Sequence, residues 1–228
     1  MSSYKRKKRT LKKRILVFCE GYTENHYVAG LKNWIEQIDP SINIAIKTIN
    51  IEGGGYLSIL TALNKQPDSG CIAKIVLFDF DRYLNHKDEK IVFEKLLSLS
   101  QNSNKRNRIP CILIGTCPKF EYCLCCHSSQ YGGSDIPAFM KAKWGYLSSD
   151  DCKNDKKIWE KVHRGNSDHS IALKYLESRP RAIKNDFEYV ANNCSIRLFS
   201  VAFDSDALSS KGSNFGDLFK ALGAVSYT

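Results

Sequence analysis

Three carboxylates follow two short apolar runs and are the residues of this sequence best placed to do chemistry. Glu20 comes two positions after the apolar run of residues 15–18, and Asp79 and Asp81 follow the run of residues 73–78. Carboxylates held close together raise each other's pKa unless a cation lies between them. Hard dications such as Mg²⁺ are held by one or two carboxylates together with waters and substrate phosphates. If the two runs are neighbouring strands, these residues predict a Mg²⁺ or Mn²⁺ site.

The run of residues 15–18 ends abruptly at a turn and is typical of a strand buried on both faces. From residue 27 the apolar positions fall three or four apart, which predicts a helix. Thr23 is the predicted N-cap of this helix, and Glu24 lies in its first turn. Glu20 therefore lies where a strand gives way to a helix, which is the edge at which open α/β sheets bind ligands.

The same alternation of strands and helices continues along the chain. Residues 42–51 alternate strictly between polar and apolar and predict an edge strand, and residues 110–115 predict another buried strand. This order predicts a mostly parallel α/β sheet flanked by helices. Within the second run, the alternation of side chains along a strand predicts that Asp79 and Asp81 lie on the same side.

Three segments carry a resemblance to known proteins. They are ILVFCEGYTENHY at residues 15–27, FDFD at residues 78–81 and CPKFEYCLCCH at residues 117–127. A Glu after the first strand and an Asp-x-Asp after a later one resemble the Toprim domain of topoisomerases, primases and nucleases. The three segments together resemble the RloB-like family of bacterial defence proteins. The first segment is one residue shorter than the family motif, and Cys117 replaces the usual Asn.

The resemblance implies a Toprim-like core and a divalent-metal-dependent endonuclease. It implies antiphage abortive infection as the setting, often beside a partner ATPase, and RNA (including tRNA) or DNA as substrate. The implied catalytic residues are Glu20, Asp79, Asp81 and Glu121, with Glu20 also the candidate general acid or base. Two other hypotheses stay open: a non-catalytic nucleic-acid-binding or regulatory subunit, and nucleotidyl transfer as in primases.

Five further residues, in or near these segments, are candidates for binding substrate: Glu24, Arg82, Lys119, His127 and Arg14. We divide the chain into a basic tail (1–13), a Toprim-like core (14–130) and a helical subdomain (131–228). The subdomain is predicted to contain a helix over residues 170–192 that is interrupted at Pro180, a last strand and a terminal helix. It also offers cations for phosphates: Arg164, His169, Arg179, Arg181 and Lys184.

The charge of the chain is concentrated at its beginning. The 228 residues have a formal net charge of +10. Eight basic residues between Lys5 and Arg14 account for eight of these charges, which leaves +2 for the rest of the chain. One interpretation is a solubilising tail, and the other is an arm that grips the phosphates of a nucleic acid.

The nine cysteines are scattered and odd in number, which is typical of reduced thiols in a cytoplasmic protein. Cys123, Cys126 and His127 have spacing that zinc can use, but no second pair accompanies them, so we interpret them as small buried hydrophobes. No apolar run approaches the ~20 residues of a membrane span, and no secretory h-region is present. We therefore expect no membrane partner, while the oligomeric state stays open.

Overall fold

A five-stranded sheet organises the chain in a computed structural model that describes residues 13–40, 44–103, 105, 108–165, 167–190 and 194–224. The strands are β1 (Lys13–Cys19), β2 (Ile44–Asn50), β3 (Cys71–Asp79), β4 (Cys111–Cys117), β5 (Ile183–Val190), β6 (Ser195–Phe203) and β7 (Gly212–Ser213). The sheet order is β2-β1-β3-β4-β7, in which the first four strands are parallel and β7 is antiparallel to β4. The α/β class and the mostly parallel sheet are confirmed.

Within the described residues, ten α-helices accompany the strands. They are α1 (Tyr22–Ile38), α2 (Gly55–Lys65), α3 (Asp81–Asn85), α4 (Lys87–Asn102), α5 (Glu121–Cys126), α6 (Ile136–Trp144), α7 (Ser149–Asn154), α8 (Ile158–Val162), α9 (His169–Glu177) and α10 (Gly216–Ala221). None of the described helices is long and apolar enough to cross a membrane.

The strand order determines where the connections lie. The chain moves outward from β1 to β2 and then returns across β1 to β3 and β4. Because parallel crossovers are right-handed, α1 must cover one face of the sheet, and α2 and α4 the other. The direction of winding therefore changes between β1 and β3. Their carboxyl ends form the crevice in which sheets of this kind bind ligands.

The burial of the strands explains why their sequences are continuous apolar runs. All residues from Ile15 to Cys19 are buried, because helices cover both faces of β1. An aromatic cluster on the α1 face surrounds Tyr27, which contacts Phe120, Trp159 and Phe215. A second cluster, on the α4 face, surrounds Phe93 and includes Tyr56, Phe78, Phe80, Tyr83 and Phe203. These two clusters pack on opposite faces of the sheet in which β1 and β3 are paired.

The prediction of a helix over residues 170–192 is wrong for its second half. The helix α9 ends at Glu177, before Pro180, and the chain then forms β5, which pairs antiparallel with β6. Ile183 and Phe187 are the buried side chains of β5, and their spacing of four residues fits one face of a strand as well as one face of a helix. The predicted last strand exists as β6, but it belongs to this hairpin and not to the parallel sheet. The subdomain is therefore only partly helical.

Several smaller boundaries also differ. The helix α1 begins at Tyr22 with Gly21 as its N-cap, so Thr23 lies inside the helix. The helix predicted from Pro118 begins only at Glu121. The predicted edge strand is β2, which is at the edge of the sheet, although residues 42 and 43 lie outside the described residues. The terminal helix is confirmed as α10. Of the basic tail only Lys13 is described, as the first residue of β1.

Candidate metal and active site

The crevice between β1 and β3 places Glu20 beside Asp79. The last paired residues of the two strands are Cys19 and Leu77, and the backbone N–H of Glu20 donates to the carbonyl of Leu77 at 3.1 Å. Oε2 of Glu20 then accepts a hydrogen bond from the backbone N–H of Asp79 at 3.0 Å. Glu20 is therefore held across the end of the neighbouring strand by a partly buried hydrogen bond.

Two helix starts bring further acids to the same place. Glu24 lies in the first turn of α1 and is 4% exposed, and Glu121 lies in the first turn of α5 and is 6% exposed. Together with the strand acids they line a pocket of about 380 Å³, which we call the carboxylate pocket. Its lining residues are Glu20, Gly21, Tyr22, Thr23, Glu24, Glu52, Gly53, Asp79, Asp81, Arg82, Glu121 and Lys153. The four acids predicted to be catalytic all meet here.

The carboxylate pocket is lined by more acidic than basic side chains. Burial raises the pKa of Asp79 well above its ordinary value, and the charges of Glu24, Glu20, Glu121 and Asp81 raise it further. Burial likewise raises the pKa of Glu24 to about 8, and the nearby carboxylates of Glu121 and Glu20 add to the shift. The pKa of Glu20 is raised by burial, although the backbone N–H of Asp79 and the charge of Arg82 oppose this. Each of these pKa values is raised because it costs free energy to bury an ionised carboxylate beside other carboxylates without a neutralising cation.

Asp79 provides the clearest sign of a missing partner. Its Oδ1 atom is buried and has no hydrogen-bond partner among the described residues. Buried polar atoms are nearly always paired, because an unpaired one costs ~1–3 kcal/mol and more when it is charged. A cation beside this oxygen would satisfy it and would also relieve the repulsion from the neighbouring acids.

Asp81 occupies a different position from the one predicted. The strand β3 ends at Asp79, and Asp81 is the first residue of α3, so the alternation of a strand does not apply to the pair. Asp81 is exposed, and its Oδ1 accepts a hydrogen bond from the backbone N–H of Arg82 at 2.6 Å. It nevertheless lines the pocket, at the solvent side of the buried Asp79.

Arg82 is the main cation of the pocket. Its Nε donates to Oε1 of Glu20 at 3.0 Å, its Nη1 contacts Glu89 at 3.4 Å, and its Nη2 donates to the carbonyl of Gly53 at 2.6 Å. The side chain is one-third exposed, so it presents a guanidinium face to the pocket while it orients Glu20. Lys153, from α7, also lines the pocket.

The loop after β2 contributes a rim that sequence analysis missed. Glu52 and Gly53 have φ angles of +59° and +79°, so the chain turns sharply here in the left-handed region. Oε1 of Glu52 accepts a hydrogen bond from the hydroxyl of Tyr22 at 3.1 Å, and the N–H of Gly53 donates to the carbonyl of Glu20 at 2.8 Å. The run of three glycines marked a turn, but nothing local showed that this turn folds over the end of β1.

Three of the residues predicted to bind substrate do not line the carboxylate pocket. Lys119 is half-buried and lines a small neighbouring cavity of about 50 Å³, which it shares with Glu121. His127 is fully buried, with Nε2 bonded to the hydroxyl of Tyr27 at 2.8 Å and Nδ1 to the carbonyl of Cys123 at 2.8 Å. A histidine placed in this way supports the core and has no face free for a substrate.

Arg14 lies at the amino end of β1 and bonds to the carbonyl of Ser69. It is six residues before Glu20, which is about 20 Å along an extended strand. Arg14, a predicted substrate-binding residue, therefore does not reach the carboxylates, because it lies with Lys13 at the opposite end of the strand. Of the other cations proposed for phosphates, His169 is buried as well.

The chemistry of the pocket fits a hard dication. Carboxylate oxygens are the ligands that Mg²⁺ and Mn²⁺ prefer, and Mg²⁺ keeps several waters beside one or two carboxylates. Taking one oxygen from each acid, no three described carboxylates of the pocket lie within 4.8 Å of one another. An ion bound here would therefore have at most two of these carboxylates as direct ligands. The cysteines do not contribute, since Cys123, Cys125 and Cys126 are fully buried in the core.

Comparisons with protein-family models, with curated proteins and with solved structures gave no match for this chain.

Proposed function

We propose that the chain is a divalent-metal-dependent nuclease that cleaves the phosphodiester backbone of a nucleic acid. The buried, unpartnered Oδ1 of Asp79 carries this proposal, because it lies in a pocket with five further carboxylates at the switch point of the sheet. Such a concentration of negative charge is costly unless a cation is bound. Cation sites of this kind are used for phosphoryl chemistry, in which the substrate supplies the remaining oxygen ligands.

Asp79, Asp81 and Glu20 are the residues that would hold the ion, at most two of them directly and the third through a water ligand. Asp79 offers a buried oxygen, Asp81 an exposed one, and Glu20 stands across the crevice from both. A bound Mg²⁺ or Mn²⁺ would supply charge stabilisation at the scissile phosphate and at its leaving oxygen. The Toprim-like and RloB-like resemblance of the three motifs supports the same assignment.

Glu20 is the residue that we assign to proton transfer. It is fixed by the N–H of Asp79 and by Arg82, so its carboxylate has one orientation. Burial raises its pKa from the ordinary carboxylate value, which brings it nearer to the range in which a general acid or base works well. Glu121 faces the same pocket from α5 and would position the substrate or its water.

Arg82 and Lys153 are the cations of the pocket that can meet the phosphate. The guanidinium of Arg82 already bonds to Glu20 and to Gly53, so its contact with a phosphate would also orient the catalytic carboxylate. Lys153 would act as a second point charge from α7. Specificity for RNA, including tRNA, or for DNA is left to the experiment, and the antiphage setting with a partner ATPase rests on the family resemblance.

Cleavage assays test this function directly. The full chain is incubated with labelled total RNA and with plasmid DNA, in EDTA, in Mg²⁺ and in Mn²⁺. We expect cleavage of one substrate with either dication and none in EDTA. The variant Asp79→Asn should be inactive, whereas Asp186→Asn, which changes an exposed acid on β5, should cut like the wild type. Nucleic-acid binding with no cleavage under any condition would instead favour the non-catalytic subunit.

A further inference from the structure

A second group of potential metal ligands lies between α8 and α9. His163 directly follows α8, Asp168 is the N-cap of α9, and His169 is the first residue of that helix. One nitrogen or oxygen from each side chain lies within 4.8 Å of the other two, and no other three His, Cys, Asp or Glu residues in the described ranges meet this condition. We call these three residues the histidine cluster.

The ring nitrogens of this cluster are buried and lack hydrogen-bond partners. His169 is 5% exposed, and neither of its ring nitrogens makes a hydrogen bond within the described part of the chain. The Nε2 atom of His163 is buried and unpaired in the same way. Three orphaned nitrogens within one small cluster are unusual, because a buried imidazole normally satisfies at least one of its two nitrogens.

In the tautomer of His163 that the structure requires, Nε2 is unprotonated and faces the cluster. Its Nδ1 lies 2.7 Å from the carbonyl oxygen of Trp159, and a carbonyl only accepts, so Nδ1 must carry the proton. Nε2 therefore has the lone pair, and it lies 3.9 Å from Oδ1 of Asp168. Histidines that bind metals commonly donate their other N–H to a backbone carbonyl in this way.

A simple ion pair does not account for the cluster. Nδ1 of His169 lies 2.6 Å from Oδ1 of Asp168 but without the geometry of a hydrogen bond, and this oxygen already accepts the backbone N–H of His169. A metal ion bound beside both atoms would pair with the lone pair of the nitrogen and with the carboxylate oxygen.

We propose that His163, Asp168 and His169 form a second metal site, which binds a borderline transition-metal dication such as Zn²⁺. Two imidazole nitrogens and one carboxylate oxygen suit this class of ion, whereas the carboxylate pocket suits Mg²⁺. Each ligand of zinc lies roughly 2.0–2.2 Å from the ion, so two ligands can be at most about 4.4 Å apart. In a tetrahedral site the ligands lie ~3.3–3.6 Å apart. The separations from Oδ1 of Asp168, 3.9 Å to Nε2 of His163 and 2.6 Å to Nδ1 of His169, lie on either side of this range, so zinc would bind after small rotations of the side chains.

The surroundings of the site favour a structural role with one open position. The ring of Trp159 stacks on His163 at a centroid distance of 3.8 Å, while Trp34 and Phe219 pack against His169. These aromatic side chains come from α1, α8 and α10 and surround the site, and the ion would tie the end of α8 to the start of α9. The side chain of Asp168 is 49% exposed, which leaves a path for the metal and a place for a water ligand.

The test uses the full chain, stripped with EDTA and then titrated with Zn²⁺ alone. We expect one zinc per chain after dialysis and a rise in Tm of about 5 °C or more at saturation, because the ion binds only the folded state. Substitution with Co²⁺ should give a visible spectrum without a cobalt–thiolate charge-transfer band. Such a band would assign the ion to cysteines and would overturn the proposal.

Variants locate the ion. His163→Gln and His169→Gln should each weaken zinc binding at least tenfold, while His86→Gln, which changes an exposed histidine after α3, should not. Asp79→Asn should bind zinc normally, and a loss in this variant would place the ion in the carboxylate pocket. If His169→Gln loses its fold by circular dichroism, the half-exposed Asp168→Asn replaces it. If the wild type binds no stoichiometric zinc and its Tm does not rise, the proposal is wrong and the cluster only contributes to aromatic packing.

Discussion

The carboxylate pocket and the histidine cluster both collect buried titratable groups beside α1, but burial affects them in opposite directions. Glu24 lies in the first turn of α1, and Trp34, which packs on His169, is ten residues later, about 15 Å along the helix. In the pocket, burial raises the pKa of the acids, and in the cluster it lowers the pKa of the histidines. Each shift favours the neutral form of the group.

The consequence for binding is different in the two regions. The acids of the pocket regain their charge only when a cation compensates for burial, so a hard ion such as Mg²⁺ should be coupled to their protonation. The neutral imidazoles of the cluster already have free lone pairs, so a borderline ion needs no change of their charge. A protein with both regions should therefore distinguish two classes of metal by ligand type. The predictions below test whether this separation holds.

The largest effect is expected for Asp79→Asn. The change removes the buried oxygen that carries the proposed ion, so Mg²⁺-dependent cleavage should fall at least about a hundredfold, as expected when several kcal/mol of transition-state stabilisation are lost. Single-turnover cleavage rates measure this loss. The metal-free variant should melt at the same temperature as the wild type or higher, because like-charge repulsion is relieved.

Asp186→Asn is the control for this variant, since it removes a carboxylate from an exposed position outside the pocket. If Asp79→Asn loses its structure by circular dichroism, the side chain is architectural and the assignment of the pocket as a metal site is wrong. Normal cleavage by a folded Asp79→Asn protein would lead to the same conclusion.

Glu20→Gln separates binding from proton transfer. The amide keeps an acceptor for the N–H of Asp79 but can no longer take up a proton, so affinity for nucleic acid should be retained while turnover falls roughly a hundredfold. Affinity and single-turnover rate are measured for the same preparation. Glu36→Gln, on the exposed side of α1, provides the matched control. A Glu20→Gln protein that cuts like the wild type would remove Glu20 from the mechanism.

The stability of the metal-free protein should depend on pH. The pKa of Glu24 is about 8 in the folded state and about 4.3 in an unfolded chain, so between these values the folded state binds more protons. The free energy of unfolding must then fall as pH rises from about 5 to 8, by at most ~1.4 kcal/mol per pH unit for this group. Urea unfolding across this range measures the slope.

Saturating Mg²⁺ should flatten this slope, because a bound cation lowers the pKa of the surrounding acids. Glu24→Gln should reduce the slope without metal, while Glu36→Gln should leave it unchanged. Zinc at the histidine cluster should raise stability with the pocket slope intact. Identical pH profiles for Glu24→Gln and the wild type would mean that Glu24 does not titrate in this window.

The smallest effect on turnover is expected for deletion of residues 1–11, whose structure is outside the described residues. If the tail grips phosphates, the truncated protein should bind nucleic acid more weakly and with a flatter salt dependence, by roughly one unit of slope for each lost contact. Its single-turnover rate at saturating substrate should be unchanged, because the strand β1 and the pocket remain. Unchanged affinity and slope would make the tail a solubilising extension.

Local sequence rules predicted most of the sheet and the positions of the acids along it. The apolar runs of β1, β3 and β4 identify strands that are buried on both faces, because only such strands tolerate continuous hydrophobic side chains. The same rules misassigned β5, where a preceding helical pattern and Pro180 concealed a change of period. Pairing with β6 decides the conformation of β5, and pairing between strands depends on distant residues.

The histidine cluster had no signature that the sequence could show. His163 and His169 are six residues apart with Asp168 between them, and this spacing matches no common metal motif. Only the packing of α8 and α9 against α1 and α10 turns three separate polar residues into one site. His127 is the opposite case, since its motif suggested substrate contact and its burial beside Tyr27 makes it part of the core.

The sequence by itself determined that strands end in acids at Glu20 and Asp79, because hydrophobicity and strand length are local properties. Tertiary structure alone decided that β1 and β3 are neighbours, that Glu24 and Glu121 join them, and that Arg82 ties Glu20 in place. The burial that shifts each pKa and orphans the Oδ1 of Asp79 likewise comes from segments up to a hundred residues apart. The desolvation of these acids and the balance of charge around them arise only when the pocket is assembled, because each depends on several segments of the chain.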